Sequence, residues 1–237
     1  MISVITSRQN NKIKEVSKLK ISKYSKENKL FLCEGEKALK MAISAKLVVD
    51  VFTLQGLNLP YYINQYIVTK EILEKISSNV NPEGVVFTAK YIESDVTGNK
   101  LVYLDQVSDP GNMGTIIRTA LALGFDGIIY SQGSVSPYNE KVISATKGAI
   151  FSLPIKEGKL EDLKGEYQII VSALHEKSID INDVNPNEKF VLVLGNEAHG
   201  VSKNTLKLAD IVTHIPINNI ESLNVAVAGA ILMYELK

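Results

Sequence analysis

Short apolar runs alternate with longer, helix-like stretches along the second part of the chain, from residue 101 onward. The runs are rich in Val and Ile and mostly lack polar alternation, which is typical of strands buried on both faces of a sheet. They predict strands at residues 101–104, 127–130, 169–173, 191–194 and 211–215. Helices are predicted at about residues 113–123, 138–149 and 202–209, and a last one at 222–236. This alternation predicts an α/β fold with a parallel sheet.

The first part of the chain has a different pattern and is predicted to form a separate, small α/β domain. Its predicted elements are a basic helix at residues 10–20, a strand near Phe31, a helix at 36–45, a strand at 47–54, a helix at 70–76 and a strand at 85–89. Residues 93–100 are polar and contain Gly98, so the boundary between domains is expected there. The predicted domains are residues 1–95 and 96–237.

Composition supports a folded protein and excludes several classes. A chain of 237 residues fits one large or two modest domains, and 45% hydrophobic residues against 22% charged ones supply an ordinary core. The single cysteine, Cys33, cannot form an internal disulfide, and three scattered histidines lack the usual spacing of a metal site. Residues 1–16 carry charge where a signal peptide needs an apolar core, which predicts a cytoplasmic protein.

The zero net charge conceals an asymmetry along the chain. Residues 1–40 contain ten Lys or Arg and four Glu, a net charge of +6, so the remaining residues sum to −6. Dense local positive charge favours binding to phosphates, and the segment is therefore a candidate nucleic-acid-binding arm. The alternative is a lysine-rich amphipathic helix whose charges merely face solvent.

The last predicted helix is apolar on every face. Among residues 223–234 only Asn224 is polar, and the stretch is too short to span a membrane, so no membrane partner is expected. Such a helix must be buried, either inside its own domain or against a second subunit. Because a terminal helix rarely has enough of its own chain around it, we expect a homodimer.

The first candidate site is the segment DPGNMGTIIR at residues 109–118, directly after a predicted strand. Gly111 and Gly114 permit a tight turn, and Asn112 is predicted to cap the following helix. Arg118 lies among apolar neighbours, where its burial would need an anionic or hydrogen-bonded partner. The alternative is a simple turn between a strand and a helix, but ligands of open α/β sheets bind at such positions.

The second candidate site is LGNEAHGVS at residues 194–202, again after a predicted strand. Its glycine spacing matches a phosphate loop, but Val201 replaces the lysine that such a loop requires, which argues against nucleoside triphosphate binding. No strand is followed by G-x-G-x-x-G either, so a dinucleotide enzyme is disfavoured. Glu197 is expected at a helix start, as a capping charge or a functional group, and His199 as a structural or solvent-facing residue.

The third candidate site is IPINNIESLNVAVA at residues 215–228. Ser222 is predicted to be the N-cap of the last helix. Asn224 has only apolar neighbours, so its amide must find partners in the interior or face a ligand, because an unsatisfied buried amide costs about 1–3 kcal/mol.

These three segments, in this order, closely resemble the signature motifs of the SpoU/TrmH family of RNA 2′-O-ribose methyltransferases, within the SPOUT superfamily. The motif resemblance covers residues 101–236, and the front segments TSRQNNKIKEVSKL and FLCEGEKALKMA resemble the family's substrate-binding domain more weakly. The resemblance implies a parallel α/β domain whose end forms a trefoil knot, S-adenosyl-L-methionine as cofactor, and a homodimer with its site near the subunit interface. The spacing of the histidines and the single cysteine predicts no metal.

The resemblance also assigns roles to individual residues. It implies that the cofactor is bound by Ala173, Leu174, Gly195, Asn196, Gly200, Ile215, Ile217 and Leu223. It implies a catalytic side formed by Asn112, Arg118, Glu197, Ser222 and Asn224. The family hypothesis makes the arginine a base on the 2′-hydroxyl. A guanidinium is a poor base because it holds its proton strongly, so we favour phosphate binding and stabilisation of the developing alkoxide by Arg118.

The expected reaction is methyl transfer to a ribose 2′-hydroxyl, with ribosomal RNA as the expected substrate. A dedicated front domain favours ribosomal RNA by analogy of architecture. Two alternatives stay open at this point: a tRNA 2′-O-methyltransferase, and a non-catalytic RNA-binding factor for ribosome assembly. The intact set Asn112, Arg118, Glu197 and Asn224 argues against the second, because a binder has no need of a complete site.

Overall fold

The computed structural model describes residues 2–79, 82, 84–92 and 95–237, which divide into two compact units. The first unit contains Met1–Ile92 and Tyr138–Ser152, and the second contains Glu93–Pro137 and Leu153–Lys237. The segment Tyr138–Ser152, which the predicted boundary assigns to the second domain, thus packs with the first unit. The functional limits of the two domains stay a prediction.

The described residues form eight α-helices and twelve strands. The helices are α1 (Asn11–Lys18), α2 (Ser22–Asn28), α3 (Glu36–Ser44), α4 (Lys70–Ile76), α5 (Pro110–Ala122), α6 (Glu140–Thr146), α7 (Lys203–Leu208) and α8 (Val225–Leu236). The strands of the first unit are β1 (Ile2–Ile5), β2 (Leu30–Glu34), β3 (Val48–Thr53), β4 (Asn64–Val68) and β5 (Val85–Lys90). The strands of the second unit are β6 (Lys100–Leu104), β7 (Gly127–Tyr130), β8 (Ile155–Glu157), β9 (Gln168–Ser172), β10 (Ile179–Asp180), β11 (Phe190–Leu194) and β12 (Ile211–His214).

The first unit is a mixed sheet of order β1-β4-β3-β5-β2 with helices packed on it. Helix α1 packs its apolar side, Ile13 and Val16, into a core that includes Phe52 of β3 and Ile72 of α4. Lys14 and Lys18 of the same helix are exposed. The basic helix is therefore amphipathic, with its apolar residues in the core.

Lys12 has a structural role that the charge pattern did not indicate. Its Nζ lies 2.8 Å from Oδ2 of Asp50, a buried carboxylate of β3 that also accepts from the side chains of Asn64 and Thr88. Burial alone would lower the pKa of Lys12, but the hydrogen bond and charge of Asp50 raise it above its usual value. Lys12 therefore neutralises the buried charge of Asp50 and, unlike the exposed Lys14 and Lys18, is not free to bind a ligand.

The second unit is a wholly parallel sheet of order β10-β12-β9-β11-β6-β7-β8. The predicted α/β fold with a parallel sheet is confirmed. Strand β7 and helix α4 have the predicted limits, whereas β1, β4, β8, β10 and α2 were not predicted. The missed strands are short or begin with polar residues, and α2 has the mostly polar sequence SKYSKEN. These segments therefore show neither the alternation of a strand nor the apolar periodicity of a helix.

Helix α8 is buried along one side only. Ala226, Gly229, Leu232, Met233 and Leu236 are buried, whereas Val227, Ile231 and Tyr234 are exposed in the single chain. The helix packs against α5 and β11, with Leu194 Cδ1 only 2.7 Å from an ideal Cβ placed on Gly229. No helix of the described residues combines the length and apolarity that a membrane span requires.

Candidate active site

A cleft of about 690 Å³ lies at the carboxyl ends of β9, β11 and β12 in the second unit. All eight residues that the resemblance assigns to the cofactor line it: Ala173, Leu174, Gly195, Asn196, Gly200, Ile215, Ile217 and Leu223. Glu197, Ser222 and Asn224 line it as well. The volume suits a small molecule, and the location is where open parallel sheets bind ligands.

The turn after β11 closes on itself and forms one wall of this cleft. Backbone hydrogen bonds join Asn196 and Gly200 in both directions, at 3.0 and 2.9 Å, and Gly200 has a φ of 65°. Asn196 Oδ1 accepts from the N–H groups of Ala198 and His199, and its Nδ2 donates to the carbonyl of Gln106 at 2.8 Å. This turn is therefore fixed both internally and to the segment after β6.

The three sequence motifs meet in one chain of hydrogen bonds at the edge of the cleft. Nδ2 of Asn224 donates to Oδ1 of Asn112 at 2.9 Å, and Nδ2 of Asn112 donates to Oε1 of Glu197 at 3.1 Å. Glu197 also accepts from the N–H of Asp109 at 3.0 Å and from the N–H and Oγ of Ser108. The amide of Asn112 is thereby oriented by a donor on one side and an acceptor on the other.

The surroundings of Glu197 favour its charged form. Burial by itself would raise the pKa of this carboxyl, but the hydrogen bonds from Asn112 and from backbone N–H groups, including those of Ser108 and Asp109, lower it to about 2. Glu197 is therefore an acceptor throughout the physiological pH range, as the amide of Asn112 requires.

Glu197→Gln is expected to lower the thermal stability of the protein most at neutral pH. The carboxylate accepts several hydrogen bonds at once, and glutamine replaces one acceptor oxygen with a donor that faces other donors. The stabilising effect of Glu197 is present above its usual pKa of 4.5 and is lost as the pH falls toward about 2. The difference in Tm between parent and variant, followed by calorimetry, should shrink over this interval.

Glu176→Gln is the control for this experiment, because Glu176 is exposed on a loop of the same unit. It should change Tm little at any pH. A difference for Glu197→Gln that stayed constant from pH 5 to pH 2 would contradict the hydrogen-bond network as its cause.

The structure corrects four expectations about the motifs. The N-cap of α5 is Asp109, which accepts from the N–H of Asn112 at 2.8 Å, so the prediction that Asn112 caps the helix is wrong. The N-cap of α8 is Asn224, whose Oδ1 accepts from the N–H groups of Ala226 and Val227, so the prediction of Ser222 is wrong. Glu197 lies in the turn between β11 and α7 and does not begin a helix.

The fourth correction concerns Arg118. It is exposed on α5, so the argument from costly burial does not apply, and it does not line the cleft. Among the residues that the structure describes, no hydrogen bond or ion pair holds its guanidinium. A free guanidinium on the helix that carries Asn112 is available to a large anionic ligand.

Two groups near the site were missed by the sequence reasoning. Ser108 donates to Glu197 through both its N–H and its hydroxyl. Asp105, buried after β6, accepts from the N–H of Ser202 at 2.9 Å and from the hydroxyl of Thr205 at 2.6 Å, which fixes the start of α7. A polar residue directly after a buried strand was the available signal for Asp105, whereas Ser108 lies four residues beyond the end of β6 and had no such signal.

Two of the three histidines line the cleft. His199 is exposed on the turn after β11, as expected for a solvent-facing residue. His214, at the end of β12, lies with Nδ1 3.0 Å from the hydroxyl of Ser178. Across the described ranges, no group of three His, Cys, Asp or Glu side chains is placed to hold a metal ion.

The fold and the cleft together define a class: a parallel α/β enzyme domain with a ligand site at the carboxyl ends of its strands, joined to a smaller α/β unit. A family model described as the SpoU rRNA methylase family matches residues 99–234, and one described as an MRM3-like substrate binding domain matches residues 10–86. The chain belongs to the SpoU rRNA methylase family.

Individual relatives resemble the whole chain. The 23S rRNA (guanosine(2553)-2′-O)-methyltransferase RlmP of Bacillus subtilis is 29% identical over 98% of each chain. The crystal structure of an AdoMet-bound rRNA methyltransferase from Sinorhizobium meliloti superposes with a TM-score of 0.89 at 28% identity, over 99% of this chain and 97% of that one. A TrmH-family protein of Porphyromonas gingivalis gives a TM-score of 0.86 at 25% identity, over 96% and 97%.

Proposed function

We propose that this protein transfers a methyl group from S-adenosyl-L-methionine to a ribose 2′-hydroxyl of ribosomal RNA. The observation that carries the proposal is the hydrogen-bonded chain of Asn224, Asn112 and Glu197 at the edge of a cleft lined by all eight predicted cofactor residues. Membership of the SpoU family and the rRNA methyltransferases among its relatives support the same reaction.

The cleft fits the cofactor in size and chemistry. Its volume of about 690 Å³ is in the range of small-molecule sites. Leu174, Ile215, Ile217 and Leu223 offer apolar contacts to an adenine and a methionine chain, and the turn at residues 195–200 presents backbone groups. An ideal Cβ on Gly195 would lie 2.5 Å from the backbone of Gly200, so close approach requires glycine there. When bound, the cofactor supplies a methyl group on a positively charged sulfur.

The remaining site residues position the RNA for an in-line displacement. Asn112, held by Asn224 and Glu197, keeps one amide N–H free to orient the attacking hydroxyl, and Ser222 contributes a second polar group at the rim of the cleft. Arg118 binds the neighbouring phosphate and stabilises the developing alkoxide. Glu197 is a positioning residue that acts through Asn112.

The test of the reaction is transfer of tritiated methyl to unmodified ribosomal RNA and, separately, to unmodified tRNA. We expect label in ribosomal RNA that maps to a ribose. Label in tRNA alone would favour the tRNA 2′-O-methyltransferase. Cofactor binding without transfer to either RNA or to assembly intermediates would favour the non-catalytic assembly factor.

The first unit is proposed to bind RNA through the exposed lysines of α1. Replacing both Lys14 and Lys18 with alanine should weaken RNA binding and lower the slope of log affinity against log salt by about 1 for each phosphate that is no longer neutralised. Lys12 is excluded from this variant because it pairs with buried Asp50. Fluorescence anisotropy over a salt series measures the slope.

The control is the double variant Lys159→Ala, Lys207→Ala in the second unit, which also removes two positive charges from exposed lysines. It should leave the slope near that of the parent. An unchanged slope for the Lys14 and Lys18 variant would assign RNA binding to another surface.

We propose that α8 forms the interface of a homodimer. Val227, Ile231 and Tyr234 make an exposed apolar stripe at helical spacing, and α8 packs against α5, which carries Arg118. Ile231→Asp is expected to convert the dimer to a monomer in analytical ultracentrifugation, because it places a charge in the stripe. Val4→Asp, at another exposed apolar position, is the control, and a monomeric parent would refute the proposal.

Two further expectations rest on the family. The trefoil knot at the end of the second unit is expected from the SPOUT resemblance, and a ribosomal RNA substrate implies work in the cytoplasm. Both stay predictions.

A further inference from the structure

The loop between β3 and β4 exposes two tyrosines on a closed turn. Tyr61 is 94% exposed and Tyr62 47% exposed. The N–H of Ile63 donates to the carbonyl of Pro60 at 3.0 Å, so the tyrosines occupy the two central positions of the turn. Their rings meet edge to face, with centroids 5.9 Å apart. A ring as exposed as that of Tyr61 adds little to the stability of the fold and is available for contact with another molecule.

The loop that carries the turn is anchored on both sides. In the amide orientation that satisfies both of its polar atoms, buried Gln65 donates to the carbonyl of Leu57 at 3.1 Å and accepts from the N–H of Leu57 at 2.6 Å. The hydroxyl of Thr53 donates to the carbonyl of Gln55 at 2.7 Å. The aromatic turn is thus presented in a fixed conformation, which reduces the entropy lost on binding.

Hydrogen bonds connect the turn to the basic helix of the same unit. Asn64, two residues after Tyr62, donates through Nδ2 to Asp50 at 3.1 Å, and Asp50 pairs with Lys12 of α1 at 2.8 Å. Lys14 of that helix is exposed. The strand that follows the aromatic turn is therefore joined through Asp50 to the first turn of the basic helix, and the positive charge of that helix complements a polyanion.

We propose that Tyr61 and Tyr62 form a stacking site for an unpaired nucleobase of the RNA substrate, with the neighbouring phosphates on α1. Every base has a π face that stacks on an aromatic ring, and proteins recognise RNA mainly through unstacked bases in loops and bulges. The inference rests on the proposed function, because it specifies how the first unit selects its RNA.

The first test compares RNA affinities across a salt series. Tyr61→Ala is expected to weaken binding of an RNA fragment with unpaired bases about tenfold while leaving the salt slope unchanged, since stacking releases no counterions. Tyr61→Phe should restore the affinity because it keeps the ring. Leu54→Ala, which removes an exposed apolar side chain from the same loop, is the matched control and should bind like the parent.

The second test places a fluorophore in the site. The chain contains no tryptophan, so Tyr61→Trp introduces a single reporter. Its fluorescence should be quenched by RNA with unpaired bases and much less by a fully paired duplex. Equal quenching by both would overturn the inference. Because Tyr61 is exposed, Tm should be the same in all these variants.

The outcomes separate this inference from the proposed function. Methyl transfer by the parent, with Tyr61→Ala binding RNA as tightly as the parent, would overturn the stacking site alone. If Tyr61→Ala lost binding to ribosomal particles but kept its binding to naked RNA, the turn would contact a protein partner, and this result would also overturn the stacking site. A parent that neither binds nor methylates RNA would contradict both.

Discussion

Arg118→Ala is expected to lower kcat by about 100- to 1,000-fold while the affinity for S-adenosyl-L-methionine stays nearly unchanged. Arg118 is exposed and lies outside the cleft lining, so its removal leaves both the cofactor wall and the core intact. The variant lacks the guanidinium that would bind phosphate and stabilise the developing alkoxide. Single-turnover methyl transfer measures the rate, and calorimetry measures cofactor binding.

Two variants refine this result. Arg118→Lys keeps the charge but not the planar fork of donors, and should recover only part of the rate. Arg8→Ala, at the only other arginine of the chain, should leave the chemical step unchanged. A loss of cofactor affinity in Arg118→Ala would mark a structural residue and contradict the phosphate-binding role.

Gly195→Ala is expected to weaken cofactor binding by about 100-fold, or about 3 kcal/mol. An ideal Cβ on Gly195 would lie 2.5 Å from both Gly200 C and Val201 N and 2.8 Å from Gly200 O. These are backbone atoms of the turn that walls the cleft, so the turn must move. The overpacking should also cost about 1–3 kcal/mol of folding stability.

The matched control is Gly56→Ala, because a Cβ there meets only Ile67 Cδ1, at 4.0 Å. Cofactor affinity from calorimetry and unfolding free energy from denaturant titration are measured on all three proteins. A cofactor affinity equal to that of the parent in Gly195→Ala would show that the turn at residues 195–200 is not part of the cofactor site.

Much of the second unit was predictable from its short apolar runs, because parallel strands buried on both faces are continuously apolar. The predicted limits of β7 match the structure, those of β6, β11 and β12 differ by one residue at one end, and those of β9 differ by one residue at each end. The strands that were missed, such as β10 with two residues, are too short to carry a period. Capping was mispredicted at Asn112 and Ser222, because several polar residues stand near each helix start and only geometry selects among them.

The sequence by itself determined the alternation of the longer strands and helices, the family and the residue types that carry the chemistry, since these depend on local pattern and motif spacing. Only the tertiary structure decided what those residues contact. Asn112, Glu197 and Asn224 are far apart along the chain, yet they form one hydrogen-bonded chain because β6 and β11 pair in parallel and α5 packs on α8. The pairing of Lys12 with buried Asp50 and the exposure of Arg118 depend on packing in the same way, because burial and charge pairing are set by residues distant in sequence.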